Sequence, residues 1–248
     1  MRAGTGYSRR RGSASLMAKA GELMRRREFA LGVAGLGLAV MPAAADTADD
    51  AVKAYIAKTE AEKIAASDAL VAKNHAALFD NPASGFLGNP HGDVAIVQFF
   101  DYDCGFSKRV EPRVEALLKA DAGVKLIPRE FTIEPAESSP IAGRAALASI
   151  AQGKYAVYHQ AMMSVPDHPL AVPRVFEIAE SVGLDLATLR ADMEKPAIYA
   201  QLIANFNLAR ALRIFQTPTF IIGNHIVTEP SAQIDFPALV AKARAAKT

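Results

Sequence analysis

One cysteine, Cys104, is the only thiol in the 248 residues. A single thiol can neither close an internal disulfide nor build a thiolate zinc cluster, so a disulfide-stapled fold and a cysteine-based metal site are both excluded. Histidine is sparse as well: His75, His91, His159, His168 and His225 fall at no metal-ligand spacing such as His-x-x-x-His. No metal or cofactor is therefore implied. The longest charge-free apolar stretch, residues 30–42, falls far short of the roughly 20 residues that span a bilayer. Gly and Pro follow no repeat, and Val, Ile, Leu and Phe are abundant, which excludes fibrous and disordered classes. Basic charge is missing from most of the chain. Residues 1–45 hold eight Lys/Arg against two Asp/Glu, which leaves 20 basic and 24 acidic residues beyond Ala45, so the +2 total gives no support for nucleic-acid binding.

The basic N-terminus reads as an address. Arg25, Arg26 and Arg27 precede Phe29, a Gly-rich apolar stretch follows, and Ala43-Ala44-Ala45 offers a small-residue cleavage site. This looks like a bacterial twin-arginine export signal over residues 1–45, cleaved near Ala45, with a periplasmic mature chain. Met17 and Met24 are alternative starts.

Residues 46–80 are rich in Ala, Lys, Glu and Asp, lack Gly and Pro, and carry a thin apolar stripe of Val52, Tyr55, Ile56, Ile64, Leu70 and Leu78. This predicts an N-terminal helix that either docks on the next domain or pairs with its own copies as a stalk. Residues 81–85 break it. The domain over residues 88–248 opens with a buried-strand pattern at residues 93–100, and Val110, Val114, Leu117 and Leu118 then repeat at helical spacing. A second strand follows at residues 124–131, giving a strand–helix–strand unit whose right-handed crossover makes the strands parallel. Residues 138–213 read as a helical insertion, punctuated at Gly153, residues 166–173, Gly183 and Pro196. The chain then returns to a strand at residues 219–222, turns at Gly223-Asn224, runs back through Ile226-Val227, and closes with a helix over residues 234–246. The predicted class is α/β.

Cys104 sits at the first strand-to-helix junction. There the unsatisfied N–H groups and the positive end of the helix favour thiolate over thiol, which is the setting of a nucleophile, while a lone cysteine elsewhere is commonly a small buried hydrophobe. The run over residues 92–110, with Asp101-Tyr102-Asp103-Cys104-Gly105-Phe106-Ser107 at its centre, resembles the active-site strand and helix of the DsbA-like thiol:disulfide oxidoreductases. Arg129-Glu130-Phe131, the segments at residues 144–148 and 152–155, and Gln216-Thr217-Pro218-Thr219-Phe220 agree with that family in order and spacing. The resemblance covers residues 75–246 and implies a thioredoxin-like fold with an inserted helical domain. It also makes Cys104 the nucleophile and Thr217-Pro218 a cis-proline edge that binds extended peptide together with Gly105 and Phe106. The preceding helix resembles the oligomerising segment of the family's copper-tolerance, disulfide-isomerase-like branch, so residues 46–80 imply a homo-oligomer.

Two departures from the family stand out. Its Cys-X-X-Cys reads Cys104-Gly105-Phe106-Ser107 here, so Ser107 replaces the resolving thiol. Its buried acid, six residues before the nucleophile, is Gln98. Without a second thiol a costly buried carboxylate has no task, and a neutral amide is easier to satisfy in the core. Cys104 still attacks a disulfide, with the Ser107 hydroxyl expected to donate to its thiolate, but release requires another thiol. The partners implied are cysteine-containing exported proteins plus an external thiol such as glutathione, or a membrane-bound reductase. A non-catalytic chaperone or adaptor using the same peptide edge is the alternative. Lys108 and Arg109 either add positive potential or are solvated, Asp101 and Asp103 oppose it, Met162-Met163 line a groove or fill the core, and His225 reads as a surface residue beyond the hairpin turn.

Overall fold

Residues 44–227 and 231–247 are described by the computed structural model; the basic and apolar parts of the expected export signal lie outside them. The chain divides into units of residues 1–51 and 52–248. Helix α1, Ala44–Lys73, leaves Val52, Tyr55, Ile56 and Ile64 exposed, whereas Val71 near its end is fully buried. The single helix expected to residue 80 is interrupted at Asn74, whose side-chain amide donates to Leu70 O (2.8 Å) and competes with the helical ladder. A short helix α2, His75–Phe79, follows and buries Leu78.

After α2 come β1, Leu87–Gly88, β2, Val94–Phe100, helix α3, Gly105–Ala120, and β3, Val124–Glu130. The insertion consists of α4, Ser138–Ser149, α5, Tyr155–Ser164, α6, Val172–Ser181, α7, Leu186–Met193, and α8, Pro196–Ala211. Its breaks fall where the punctuation placed them, although Pro196 opens α8, where its missing N–H costs nothing. The chain ends with β4, Thr219–Ile222, β5, His225–Val227, and α9, Phe236–Ala245, which Asp235 caps through Ala238 N. The β4–β5 hairpin turns on Gly223 at φ +61, a left-handed conformation that glycine adopts without steric cost.

The sheet order is β1-β3-β2-β4-β5. β2 and β3 run parallel, as the crossover rule required, and β4 runs antiparallel to β2. The two-residue β1 was not expected; it pairs antiparallel with the outer edge of β3. β2 is central and nearly all of it is buried, which explains its unbroken apolar run. Alternation along the strands assigns the two faces. Ile96, Phe100, Leu126 and Phe220 pack with Val110 and Val114 of α3, Val240 of α9 and the insertion helices. Val97, Phe99, Ile127 and Ile221 pack with Val71, Leu78, Leu208 and Leu212. Gln98 lies in register with the first set, so it faces the helix that begins at Cys104.

Candidate active site

Cys104 is the N-cap of α3, one position before the first turn in which the sequence reading placed it. Its backbone is extended, it makes no side-chain cap bond, and Lys108 N donates to its carbonyl to start the helical ladder. The N–H groups of the first turn therefore have no side-chain cap and stand available to a thiolate. The thiol donates to Thr217 O at 3.3 Å, and Thr217–Pro218 is cis. Residues 113 positions apart in sequence thus share one edge, as the family resemblance implied. Cys104 is 3 % exposed, while Phe106 and Phe215, each two residues from a member of this pair, are 62 % and 74 % exposed.

Ser107 corrects one expectation. Its hydroxyl is fully buried and has no hydrogen-bond partner among the described residues, so it does not donate to Cys104. Gln98 corrects a second. A buried carboxylate is present after all, supplied from α3: Glu111 Oε2 accepts from Gln98 Nε2 at 3.3 Å, and Oε1 faces His159 Nε2 at 3.4 Å, a long ion-pair contact and not a hydrogen bond. The Tyr102 hydroxyl lies 3.0 Å from His159 Nδ1. Burial, and secondarily the charge of Glu130, pushes the Tyr102 phenol well above its ordinary range, so it stays protonated. Glu111 and His159 were missed, yet a signal existed. Glu111 lies three and seven residues before Val114 and Leu118, and His159 lies between Tyr155 and Met162 at helical spacing, so both sit on apolar stripes.

The charges around Cys104 are spent on architecture. Asp101 accepts from Asp103 N, Ile133 N, Glu134 N and Ser139 Oγ, and Asp103 accepts from Ser138 Oγ and Leu170 N. These carboxylates pin the junction to the start of α4 and to the α5–α6 loop; they are not free charges opposing the thiolate. Burial raises the Asp101 carboxyl against the pull of those bonds. Lys108 is buried, not solvated, and donates to Met162 O and Val165 O at the end of α5. Burial draws its ammonium down to about 8, opposed by Asp103 and Asp167. Because an unfolded lysine titrates near 10.4, the fold gains stability as pH climbs from about 8 toward 10 and loses it on the way down. Arg109 is exposed and stacks its guanidinium 4.3 Å from the Phe106 ring centroid. Met162 and Met163 are buried in the core. His225 is part of β5 and half-buried, because it pairs with Ile222 across the hairpin. Among the described residues no group of three or more His, Cys, Asp or Glu could hold a metal ion.

The thioredoxin family pattern matches residues 80–242. A thioredoxin-like oxidoreductase from Silicibacter pomeroyi DSS-3 is 38 % identical over 69 % of this chain and 98 % of its own, with a TM-score of 0.64. A periplasmic thioredoxin-like protein from Salmonella enterica serovar Typhimurium is 26 % identical over 69 % of this chain and 95 % of its own, at 0.61. The catalytic domain of Proteus mirabilis ScsC, 24 % identical, shares the fold over 72 % of this chain and 98 % of its own, at 0.63. Curated proteins gave no match.

Proposed function

Because the chain belongs to the thioredoxin family, as a DsbA-like member with an inserted helical block, we propose that it is an exported thiol–disulfide exchange protein working through Cys104 alone. The observation that carries this reading is the pairing of an uncapped helix N-terminus at Cys104 with a cis Thr217–Pro218 edge 3.3 Å away, one helical turn from a serine. Export to the periplasm rests on the twin-arginine pattern and on a relative named as periplasmic.

The Cys104 thiolate attacks one sulfur of a substrate disulfide, the second sulfur leaves as a thiolate, and a mixed disulfide remains. Ser107 has no sulfur with which to resolve it. Release therefore comes from a second cysteine of the substrate, which isomerises the disulfide, or from an external thiol or a membrane-bound reductase, which reduces it. Substrates are cysteine-containing exported proteins, seated as extended peptide against the Thr217–Pro218 edge with Gly105, Phe106 and Phe215 beside it. The exposed stripe of α1, from Val52 to Ile64, supports self-association through residues 46–80. The burial of Cys104 favours a second reading, a peptide-binding chaperone or adaptor without turnover.

Reaction with a peptide disulfide at pH 6, followed by intact-mass measurement, tests the proposal. One mixed disulfide per chain is expected, absent in Cys104→Ala, forming at least about tenfold faster than on a free cysteine peptide, whose thiol is almost wholly protonated there. A rate no greater than the free peptide's would refute it.

A further inference from the structure

A monothiol site resolved from outside must deal with a proton that a dithiol site handles internally. Free thiols titrate near 8.5, so at pH 7 only about 3 % of an incoming small thiol is the attacking thiolate. A base at the point of entry would remove that limit, and one is placed there.

His168 lies in the α5–α6 loop and is exposed. Its Nδ1 is 2.8 Å from Pro166 O. A carbonyl only accepts, so Nδ1 donates, and in the neutral form of the ring the bare nitrogen is Nε2. That edge of the ring lies against the residue after the nucleophile: a methyl group added at Gly105 would lie 2.8 Å from Nε2 and 2.9 Å from Cδ2. The glycine in the tetrad is what lets the imidazole lie against the start of α3. The loop is fixed in place by Leu170 N donating to Asp103 and by Lys108 Nζ donating to Val165 O. Beside it opens a cavity of about 340 Å³ lined by Gly105, Lys108, Arg109, Glu115, Met163 and His168 among others. Lys108 spends two of its three donors on carbonyls, and Arg109 is exposed, so cationic donors remain for a carboxylate; Glu115, whose Oε2 faces Lys119 Nζ at 3.6 Å, has its second oxygen for an ammonium group. The charged groups that line this cavity with His168 are Lys108, Arg109, Glu111 and Glu115 from α3, and Asp103 and Asp167 act in turn on Lys108.

We propose that this cavity is the entry site of the resolving thiol, a small thiol bearing both a carboxylate and an ammonium group, and that His168 is the base that deprotonates it. The inference rests on the monothiol reading above. Nε2 takes the thiol proton as the sulfur attacks the substrate sulfur of the mixed disulfide. A new disulfide forms between small thiol and substrate, the bond to Cys104 breaks, and its electron pair leaves on Cys104 as thiolate. The disulfide is transferred with no net oxidation, and the proton passes from His168 to solvent.

The test separates the two steps. The full chain is loaded with a peptide disulfide, giving a mixed disulfide on Cys104, and the return of the free Cys104 thiol is followed by acid-quenched intact-mass measurement with glutathione or with uncharged 2-mercaptoethanol from pH 6.5 to 9.5. Failure to load would sink the monothiol reading itself. Given loading, His168→Gln is expected to slow glutathione release about tenfold at pH 7, within the roughly thirtyfold ceiling set by the thiolate fraction, with the gap closing above about pH 9, where the thiol ionises unaided. Gly105→Ala, which displaces the ring without removing it, is expected to reproduce that profile. In the wild-type protein glutathione is expected to outrun 2-mercaptoethanol at equal thiolate concentration. An unchanged rate in His168→Gln, a loss equal at every pH, or equal rates for the two thiols would overturn the proposal.

Discussion

Ser107→Cys is expected to convert a protein that cannot form a disulfide within itself into one that oxidises dithiol peptides stoichiometrically. Oxidising two thiols to a disulfide removes two electrons, and a lone thiol has no internal disulfide with which to accept them. Residue 107 lies three positions beyond the N-cap on the same helix face, where Cβ atoms sit about 5–6 Å apart, close enough for a small adjustment to bring two sulfurs within bonding range. The position is fully buried, and exchanging oxygen for sulfur adds little volume. Four residues further on along α3 lies the buried Glu111. Intact-mass measurement after treatment with oxidised glutathione should find the variant two hydrogens lighter, its two sulfurs joined to each other, where the wild-type protein carries one glutathione on Cys104, and the internal disulfide of the variant should oxidise one equivalent of a dithiol peptide per chain. A variant that retains two free thiols, or that only adds glutathione without joining its own sulfurs, would contradict this account of the site.

The largest effect on stability is expected at Arg129. Its guanidinium, buried in the face of β3 away from α3, donates to Ala77 O (2.7 Å), Leu78 O (2.6 Å) and Ser84 Oγ. A five-residue helix leaves most of its carbonyls without intrahelical partners, so Arg129 supplies what α2 cannot. Arg129→Leu removes those donors and leaves the carbonyls in a low-polarity environment, at a cost of about 3 kcal/mol. For a domain of this size that lowers Tm by about 6–12 °C. Arg129→Lys, which keeps one charge but loses the planar fork, should fall between the two. Thermal unfolding followed by circular dichroism measures both, and a shift below about 2 °C for the leucine variant would show that α2 is held by apolar packing of Leu78 alone.

Much of the fold was legible because it depends on local rules. The apolar run of β2, the helical spacing of Val110 through Leu118 and the return to extended structure at Thr219 fix a strand–helix–strand unit and a closing hairpin without knowledge of distant residues. The edge at Thr217–Pro218 required the family resemblance, since a proline before a strand is ordinary in itself. What stayed hidden was polar and non-local. Asp101 and Asp103 read as charges beside a thiolate because their partners, Ile133, Ser138, Ser139 and Leu170, lie some 30 to 70 residues away. Gln98 read as the loss of a buried acid because the replacement comes from another element, thirteen residues on at Glu111. His168 gave no sign, since its relation to Gly105 exists only once the insertion has folded back onto α3.

The central claim, exchange through one sulfur, is tested most directly by turnover of a scrambled-disulfide protein with wild type and Cys104→Ala, each with and without glutathione. Turnover by wild type, accelerated by glutathione and absent in Cys104→Ala, is the expected result. Equal background rates from both proteins would contradict it and leave a thioredoxin-fold binder whose peptide edge, not its sulfur, carries the function.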